Sequence, residues 1–222
     1  MRSDRLRPGW AIDFALSYFD LPDSAARDIS GAKGRQILMD LWNKEGNGLY
    51  ASPLNILRQE WFHANMVIRR CPAFFERLKP HEMIFDFGCG TGEAYRLDWI
   101  EKGGKTIMAD VEGIGLDYIR AKYKDTPNVK VISASDVPIK YDALVCIDVL
   151  EHINQPMETL RRLCDNLKEG GHALLWFDHS YPHPGHLKSS IDQIPSYDFW
   201  RKTRTKIIYD GMYDWIQKPR TI

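Results

Sequence analysis

The tightest constraint in this chain is eight residues long: Asp86-Phe87-Gly88-Cys89-Gly90-Thr91-Gly92-Glu93. It continues Met83-Ile84-Phe85-Asp86-Phe87, an apolar run of strand length, and leads into a stretch that reads as helix. Glycine at every second position lets the backbone turn sharply from strand to helix. It also lets a ligand approach the main chain with no Cβ in the way. A tight turn without a ligand has the same local signature, so the meaning of the loop depends on what surrounds it.

Beyond the loop, strand-like and helix-like segments alternate. Strands are expected at 83–87, 106–110, 129–133, 143–147 and 172–177, with helices near 92–101, 115–123 and 157–167, the last closed by Gly170-Gly171. Such alternation is the pattern of a parallel sheet with helices on its faces, an α/β class. A helix around 191–201 precedes two apolar runs at 205–209 and 215–218, and Asp210-Gly211 between them predicts a closing antiparallel hairpin. Ahead of the loop, Leu54, Leu57, Trp61, Ala64, Ile68 and Cys71 recur at helical spacing across 54–78, with Pro72 expected to kink or end that helix. The division expected is a helical extension over 1–80 and a ligand-binding core over 81–222.

The glycine spacing is G-x-G-x-G, whereas the dinucleotide fingerprint G-x-G-x-x-G needs a third glycine where this chain has Glu93. A carboxylate beside a pyrophosphate is repelled, which disfavours a nicotinamide-dependent oxidoreductase. A phosphate-free ligand carrying an ammonium and a sulfonium would welcome Asp86 and Glu93 instead. Asp110 ends the second strand, about twenty residues beyond the loop, where an acid accepts hydrogen bonds from ribose hydroxyls. Its plainer reading is a solvated carboxylate or a helix cap.

These residues resemble the class I S-adenosylmethionine-dependent methyltransferases. The resemblance covers roughly His81 to Lys218 and rests on D-F-G-C-G-T-G at 86–92, A-D at 109–110, S-D-V-P-I at 135–139 and Y-D-A-L-V-C-I-D-V-L-E-H at 141–152, in the family's order. It implies a Rossmann-like methyltransferase sheet of strand order 3-2-1-4-5-7-6 with strand 7 antiparallel and helices on both faces. It also implies S-adenosyl-L-methionine as cofactor. By the same resemblance Asp86, Gly88, Cys89, Gly90 and Gly92 surround the methionyl part, Asp110 the ribose, Ser135 and Asp136 the adenine, and Ile147 the wall beneath the cofactor. Ser133 stands where many members carry the acid that holds the adenine amino group, which leaves that role to Asp136.

Asp148-Val149-Leu150-Glu151-His152 comes directly after the fourth strand, beside the expected methyl group. If the segment is helical, 148, 151 and 152 share a face. Asp148-x-x-Glu151 also has the spacing of a capping box that would open the helix over 157–167. As catalytic residues, His152 is the candidate base toward a hydroxyl acceptor, with Glu151 and Asp148 beside it. The D-x-x-E-H string is similar to the E-x-x-E-H metal motif of some ubiquinone-pathway O-methyltransferases and of small-RNA 2′-O-methyltransferases. A divalent metal at Asp148, Glu151 and His152 is therefore an alternative that this reading does not favour, and no metal site is assigned. His179, His183 and His186 in the next loop either orient an acceptor, complete such a metal site, or are solvated. The rings Trp10, Tyr18, Phe19, Trp42, Tyr50, Trp61 and Phe62 make the first eighty residues a cap, some of them lining an acceptor pocket.

Composition narrows the partners. Thirty basic residues balance thirty acidic ones, so no net field draws duplex DNA or an anionic membrane. The short basic run Arg201, Lys202, Arg204 and Lys206 keeps an RNA end open as an alternative acceptor. Asp13 interrupts what would be the apolar core of a signal peptide, and the cysteines form no C-x-x-C pair, so a reduced cytoplasmic protein is expected. The expected activity is methyl transfer to a small molecule, most readily at oxygen. A non-catalytic member that only binds the cofactor is the remaining rival. Acceptor identity, the choice among oxygen, nitrogen and carbon, metal dependence and oligomeric state are not written in these motifs.

Overall fold

The computed structural model of the chain describes residues 9–45, 50–65, 72–92, 99–137, 140–180, 182, 185–204, 206–210 and 213–219. Seven strands form one sheet: β1 Met83–Phe87, β2 Lys105–Asp110, β3 Val129–Ser133, β4 Tyr141–Ile147, β5 Leu167–Trp176, β6 Lys206–Asp210 and β7 Tyr213–Gln217. Their order is β3-β2-β1-β4-β5-β7-β6, with β7 antiparallel to both neighbours. This is the sheet and the antiparallel ending that the motif order implies.

Strand β1 lies between β2 and β4, both parallel to it. Buried on two faces, it needs apolar residues throughout rather than alternation, which is why Met83–Phe87 reads as a continuous run. Because the chain winds outward to β3 and then returns to β4 on the other side of β1, a crevice opens beyond the carboxyl ends of β1 and β4. The glycine loop, Asp110 and the Asp148–His152 segment all leave the sheet at that end.

Side chains alternate between two cores. Ile84, Val145, Leu174 and Trp215 face one layer with Ala15, Leu16, Ile56, Leu57, Phe74 and Tyr118. Helices α1 Trp10–Tyr18, α2 Ser24–Asp28, α4 Pro53–Asn65, α5 Pro72–Arg77 and α6 Ile114–Tyr123 supply that layer, and α3 spans Gly31–Glu45. Phe85, Leu144, Cys146 and Leu175 face the other layer, built by α7 Pro156–Asn166, α8 Lys188–Ile191 and α9 Ile194–Arg204. Leu160 and Leu163 of α7 and Tyr197 and Trp200 of α9 are buried there. Among the described residues no helix is long and apolar enough to cross a membrane.

Several boundaries differ from the sequence expectation, each for a physical reason. Pro72 opens α5 rather than ending a longer helix; at a first helical position its missing N–H costs no bond. Residues 66–71, with Ile68 and Cys71, lie outside the described residues. Strand β5 begins at Leu167, five residues early, so Gly170-Gly171 is not a helix cap. Gly170 takes φ 75° inside the strand and donates its N–H to the Lys218 carbonyl at 3.0 Å. A Cβ on Gly171 would lie 2.6 Å from the Asp142 carbonyl oxygen, so the approach of β4 demands glycine there. The register shift between Tyr141 and Ala143 turns Tyr141 into the second core although Ala143 faces the first. The helix expected over 191–201 is two, α8 and α9, and the loop-side helix expected from 92 is described only from residue 99.

Candidate functional site

The glycines of the loop divide the work. Gly88, Gly90 and Gly92 have φ of 69°, 54° and 72°, a region that strains any residue with a Cβ. A Cβ on Gly88 would strike Val149 at 2.3 Å and one on Gly92 would strike Tyr123 at 2.9 Å, so both are close-packing positions. On Gly90 it would stand 3.3 Å from Gln59 Oε1, a tight contact with one side-chain tip, in the space between the loop and α4. That space is a cavity of about 310 Å³ with Gly90, Thr91 and Asp110 on one wall and Tyr50, Asn55 and Gln59 on the other. The Gly90 N–H donates to Asp110 Oδ2 and the Val111 N–H to Oδ1, both at 2.8 Å, which fixes the Asp110 carboxylate against the mouth of the loop.

Of the cofactor residues expected from sequence, the structure thus brings Gly90 and Asp110 to the cavity wall. Asp86 and Cys89 are buried beneath the loop, and Ile147 is buried at the end of β4. Ser135 and Asp136 are exposed beyond β3, joined by a 3.2 Å hydrogen bond, and adjoin Asp110 through the 2.8 Å bond from the Ala134 N–H to the Asp110 carbonyl. Glu93, whose carboxylate disfavours a pyrophosphate, lies outside the described residues, as do Pro138 and Ile139. Asn55 and Gln59 carry no local motif; only the packing of α4 over the loop brings them here.

The segment after β4 is not the helix opening that its spacing allowed. Asp148 takes φ 54° and is exposed, Leu150–His152 form a short 3₁₀ turn, and α7 begins only at Pro156. A capping box needs the third residue to reach back. Here Glu151 is fully buried, and its Oε1 accepts from the Asp178 N–H at 3.3 Å instead. Asp148 therefore does not share a face with Glu151 and His152. The residue that joins them is His186: ligand atoms of Glu151, His152 and His186 lie within 4.8 Å of one another.

Two carbonyls orient the imidazoles. His152 Nδ1 lies 2.8 Å from the Gly185 carbonyl and His186 Nδ1 2.7 Å from the Ser180 carbonyl. A carbonyl can only accept, so these contacts place a proton on each Nδ1 and the lone pair of each neutral ring on Nε2. Tyr50 Oη is 3.1 Å from His152 Nδ1, and Tyr50 also lines the cavity, so its ring connects the cavity to this cluster. Burial, then the carboxylates of Glu151 and Asp110, push the Tyr50 hydroxyl up to about 12, which keeps it protonated at neutral pH. His179 is exposed, and His183 lies outside the described residues. Of the basic run, Lys202 is exposed, and the side chains of Arg201, Arg204 and Lys206 lie outside what is described, as do those of Trp42 and Phe62.

Burial pushes the Glu151 carboxyl up to about 8, with Asp148 and Asp178 adding to the shift and backbone N–H groups opposing it. Its folded value exceeds the ordinary 4.5, so the folded chain holds this proton more tightly than the unfolded one. The associated stability is fully present below about 4.5 and is lost as the pH rises through about 8. In chelator, Glu151→Gln is expected to lose less Tm than the parent between about pH 5 and about pH 9, because the amide still accepts from Asp178 without ionising. Scanning calorimetry at the two pH values checks this, and equal losses would contradict it.

Residues 58–207 match the profile of a family described as "Methyltransferase domain". Among curated proteins, the chain is 22% identical over 157 residues to a ubiquinone biosynthesis O-methyltransferase of Rickettsia akari, covering 65% of this chain and 57% of that protein. It is 24% identical over 155 residues to the Yersinia pestis protein of the same description, covering 64% and 57%. The chain thus spans just over half the length of these relatives. A solved structure of a putative methyltransferase from Bacillus halodurans is similar over 67% of this chain and 98% of that one, at 14% identity and a TM-score of 0.48.

Proposed function

The chain belongs to the methyltransferase-domain family, and from that premise we propose that it transfers the methyl group of S-adenosylmethionine to an oxygen of a small molecule, with His152 as the base. The residues present fit that cofactor. Gly90 leaves open the space a Cβ would fill, and Asp110 presents a fixed carboxylate at the end of β2, suited to ribose hydroxyls. The cofactor supplies an electrophilic methyl on a sulfonium. Asp86, Gly88, Cys89 and Gly92 shape the loop, while Ser135, Asp136 and Ile147 are assigned the adenine end and the floor. Residues 1–80 are proposed as the cap on a core of 81–222.

The observation that carries the catalytic assignment is the 2.8 Å contact between His152 Nδ1 and the Gly185 carbonyl, which can only accept and so calls for the proton on Nδ1. It leaves Nε2 as the ring's proton acceptor. As an acceptor hydroxyl forms its new bond to the methyl carbon and the carbon–sulfur bond breaks, leaving a neutral thioether, the hydroxyl proton passes to Nε2, and the imidazolium returns it to water afterwards. Tyr50, protonated at neutral pH and 3.1 Å from Nδ1, and the buried Glu151 next in the chain hold that ring in place. The curated relatives are O-methyltransferases of ubiquinone biosynthesis, which supports oxygen over nitrogen or carbon.

A second reading has its own support. Glu151 Oε2 is buried with no hydrogen-bond partner, and with His152 and His186 it forms a donor set suited to a divalent cation. In that case the three residues would hold the ion, which would acidify the acceptor oxygen. Incubation with methyl-labelled S-adenosylmethionine and matched phenol, catechol and amine acceptors tests the first reading, with label expected on oxygen. Activity that vanishes in chelator and returns with added magnesium or zinc would favour the second. Label on the amine alone would overturn the oxygen assignment.

A further inference from the structure

A buried charge pair lies behind the glycine loop, and nothing in the methyl-transfer chemistry calls for it. Lys122 of α6 is 3% exposed and Glu60 of α4 is 2% exposed; their Nζ and Oε1 atoms are 2.5 Å apart. Lys122 Nζ also donates to the Thr91 carbonyl at 2.7 Å, and Tyr118 donates its hydroxyl proton to Glu60 Oε1 at 2.8 Å. The ring centroids of Tyr118 and Tyr123 lie 5.7 Å from the ammonium, so its surroundings are aromatic rather than aqueous.

The pair joins the two walls of the cavity. Thr91 is next to Gly90 on the loop wall, and Gln59 precedes Glu60 on the helix wall. One ammonium therefore holds the loop backbone and, through Glu60, the helix that faces it. A buried ion pair is weak evidence for stability, since two hydrophobic residues of similar size often do as well. Its place, one residue behind both walls, gives it a different use. S-adenosylmethionine is a sulfonium with an ammonium, and its product S-adenosylhomocysteine is a neutral thioether. A lone lysine cation this close would repel the substrate more than the product, and Glu60 cancels it.

We propose that Lys122 and Glu60 are a positioning pair for the cofactor: Lys122 sets the spacing between the glycine loop and α4, and Glu60 neutralises that lysine so that the site accepts the cationic substrate as readily as its neutral product. This rests on the cofactor reading above.

The test is calorimetric titration of the full chain with S-adenosylmethionine and S-adenosylhomocysteine. Glu60→Gln keeps an oxygen for both Lys122 and Tyr118 while leaving the ammonium uncompensated. It is expected to weaken S-adenosylmethionine by ~10-fold and the homocysteine by less than ~3-fold, a change of ratio that loosened packing alone would not produce. Lys122→Met, which releases the Thr91 carbonyl and leaves Glu60 uncompensated, should weaken S-adenosylhomocysteine by ~10-fold and S-adenosylmethionine by less. In the double variant, with both charges gone, the two ligands should be weaker than in the parent, with the parental ratio restored to within about twofold. That variant carries the test if Glu60→Gln does not fold. An unchanged ratio in Glu60→Gln, or a double variant that binds both ligands as tightly as the parent, would overturn the proposal. A parent chain that binds neither ligand would overturn the cofactor reading itself, a distinct outcome.

Discussion

Replacing Gly90 with valine is expected to weaken binding of S-adenosylhomocysteine by at least ~100-fold, or about 2.7 kcal/mol. Two costs combine. At φ 54° a residue with a Cβ is strained by roughly 1–2 kcal/mol, and a β-branched one by more. The added side chain would also enter the cavity toward Gln59 and disturb the N–H that holds Asp110 at 2.8 Å. Since the one atom close to that Cβ is the tip of the Gln59 side chain, which can move aside, fold stability should fall by little more than the strain. Calorimetry of ligand binding beside thermal unfolding separates the two effects. A Gly90→Val protein that binds normally would mean that the cavity at the end of β1 is not the cofactor site.

The second large effect is expected at His152. His152→Ala should lower kcat by about 10²–10⁴-fold, the usual contribution of a positioned base, while the dissociation constant for the cofactor stays within about twofold. Binding is spared because the contacts assigned to the cofactor come from the loop, β2 and α4, whereas His152 lies behind Tyr50 and is not among the described residues that line the cavity. His186→Ala sorts the two catalytic accounts. If His152 is a base, His186 is a neighbour 5.0 Å away, centroid to centroid, whose loss costs less than that of His152 itself. If the cluster holds a cation, either substitution removes a ligand, and the two losses should be similar and insensitive to added metal. Full activity in His152→Ala would dispose of the base assignment.

How much of the molecule is legible in the sequence depends on how local the determinants are. Strands β1 and β3 are legible to the residue because each is a short apolar run bounded by turn residues. The antiparallel closure is legible from Asp210-Gly211 between two such runs. The start of β5 is not, because Lys168-Glu169-Gly170-Gly171 looks like the end of a helix; only the antiparallel partner, bonded through Lys218, makes it strand. The Asp148–Glu151 spacing fits a cap as well as a site. A left-handed residue at 148 and a burial place for Glu151 decide between them, the latter made by Asp178 and Leu187, whose N–H groups donate to the Glu151 carboxylate and carbonyl. That packing also brings His186 to the cluster and leaves His179 exposed, and among the described residues Asp148 is not part of the group. Glu60 and Lys122 are 62 residues apart and carry no signal at all. The glycine loop and Asp110 are readable because their geometry is local; the facing wall of the cavity and the Glu151–His152–His186 cluster are not, because they bring together residues far apart in the chain.

The central claim is that the cavity bounded by Gly90 and Asp110 takes S-adenosylmethionine. Its most direct test is titration calorimetry of the dialysed chain with S-adenosylhomocysteine, with NADH as the comparison ligand and Asp110→Ala as the control protein. The account predicts saturable micromolar binding of S-adenosylhomocysteine to the parent chain, loss of at least ~10-fold in affinity in Asp110→Ala, and no heat from NADH. Binding of NADH in place of S-adenosylhomocysteine, or of neither ligand, would contradict it.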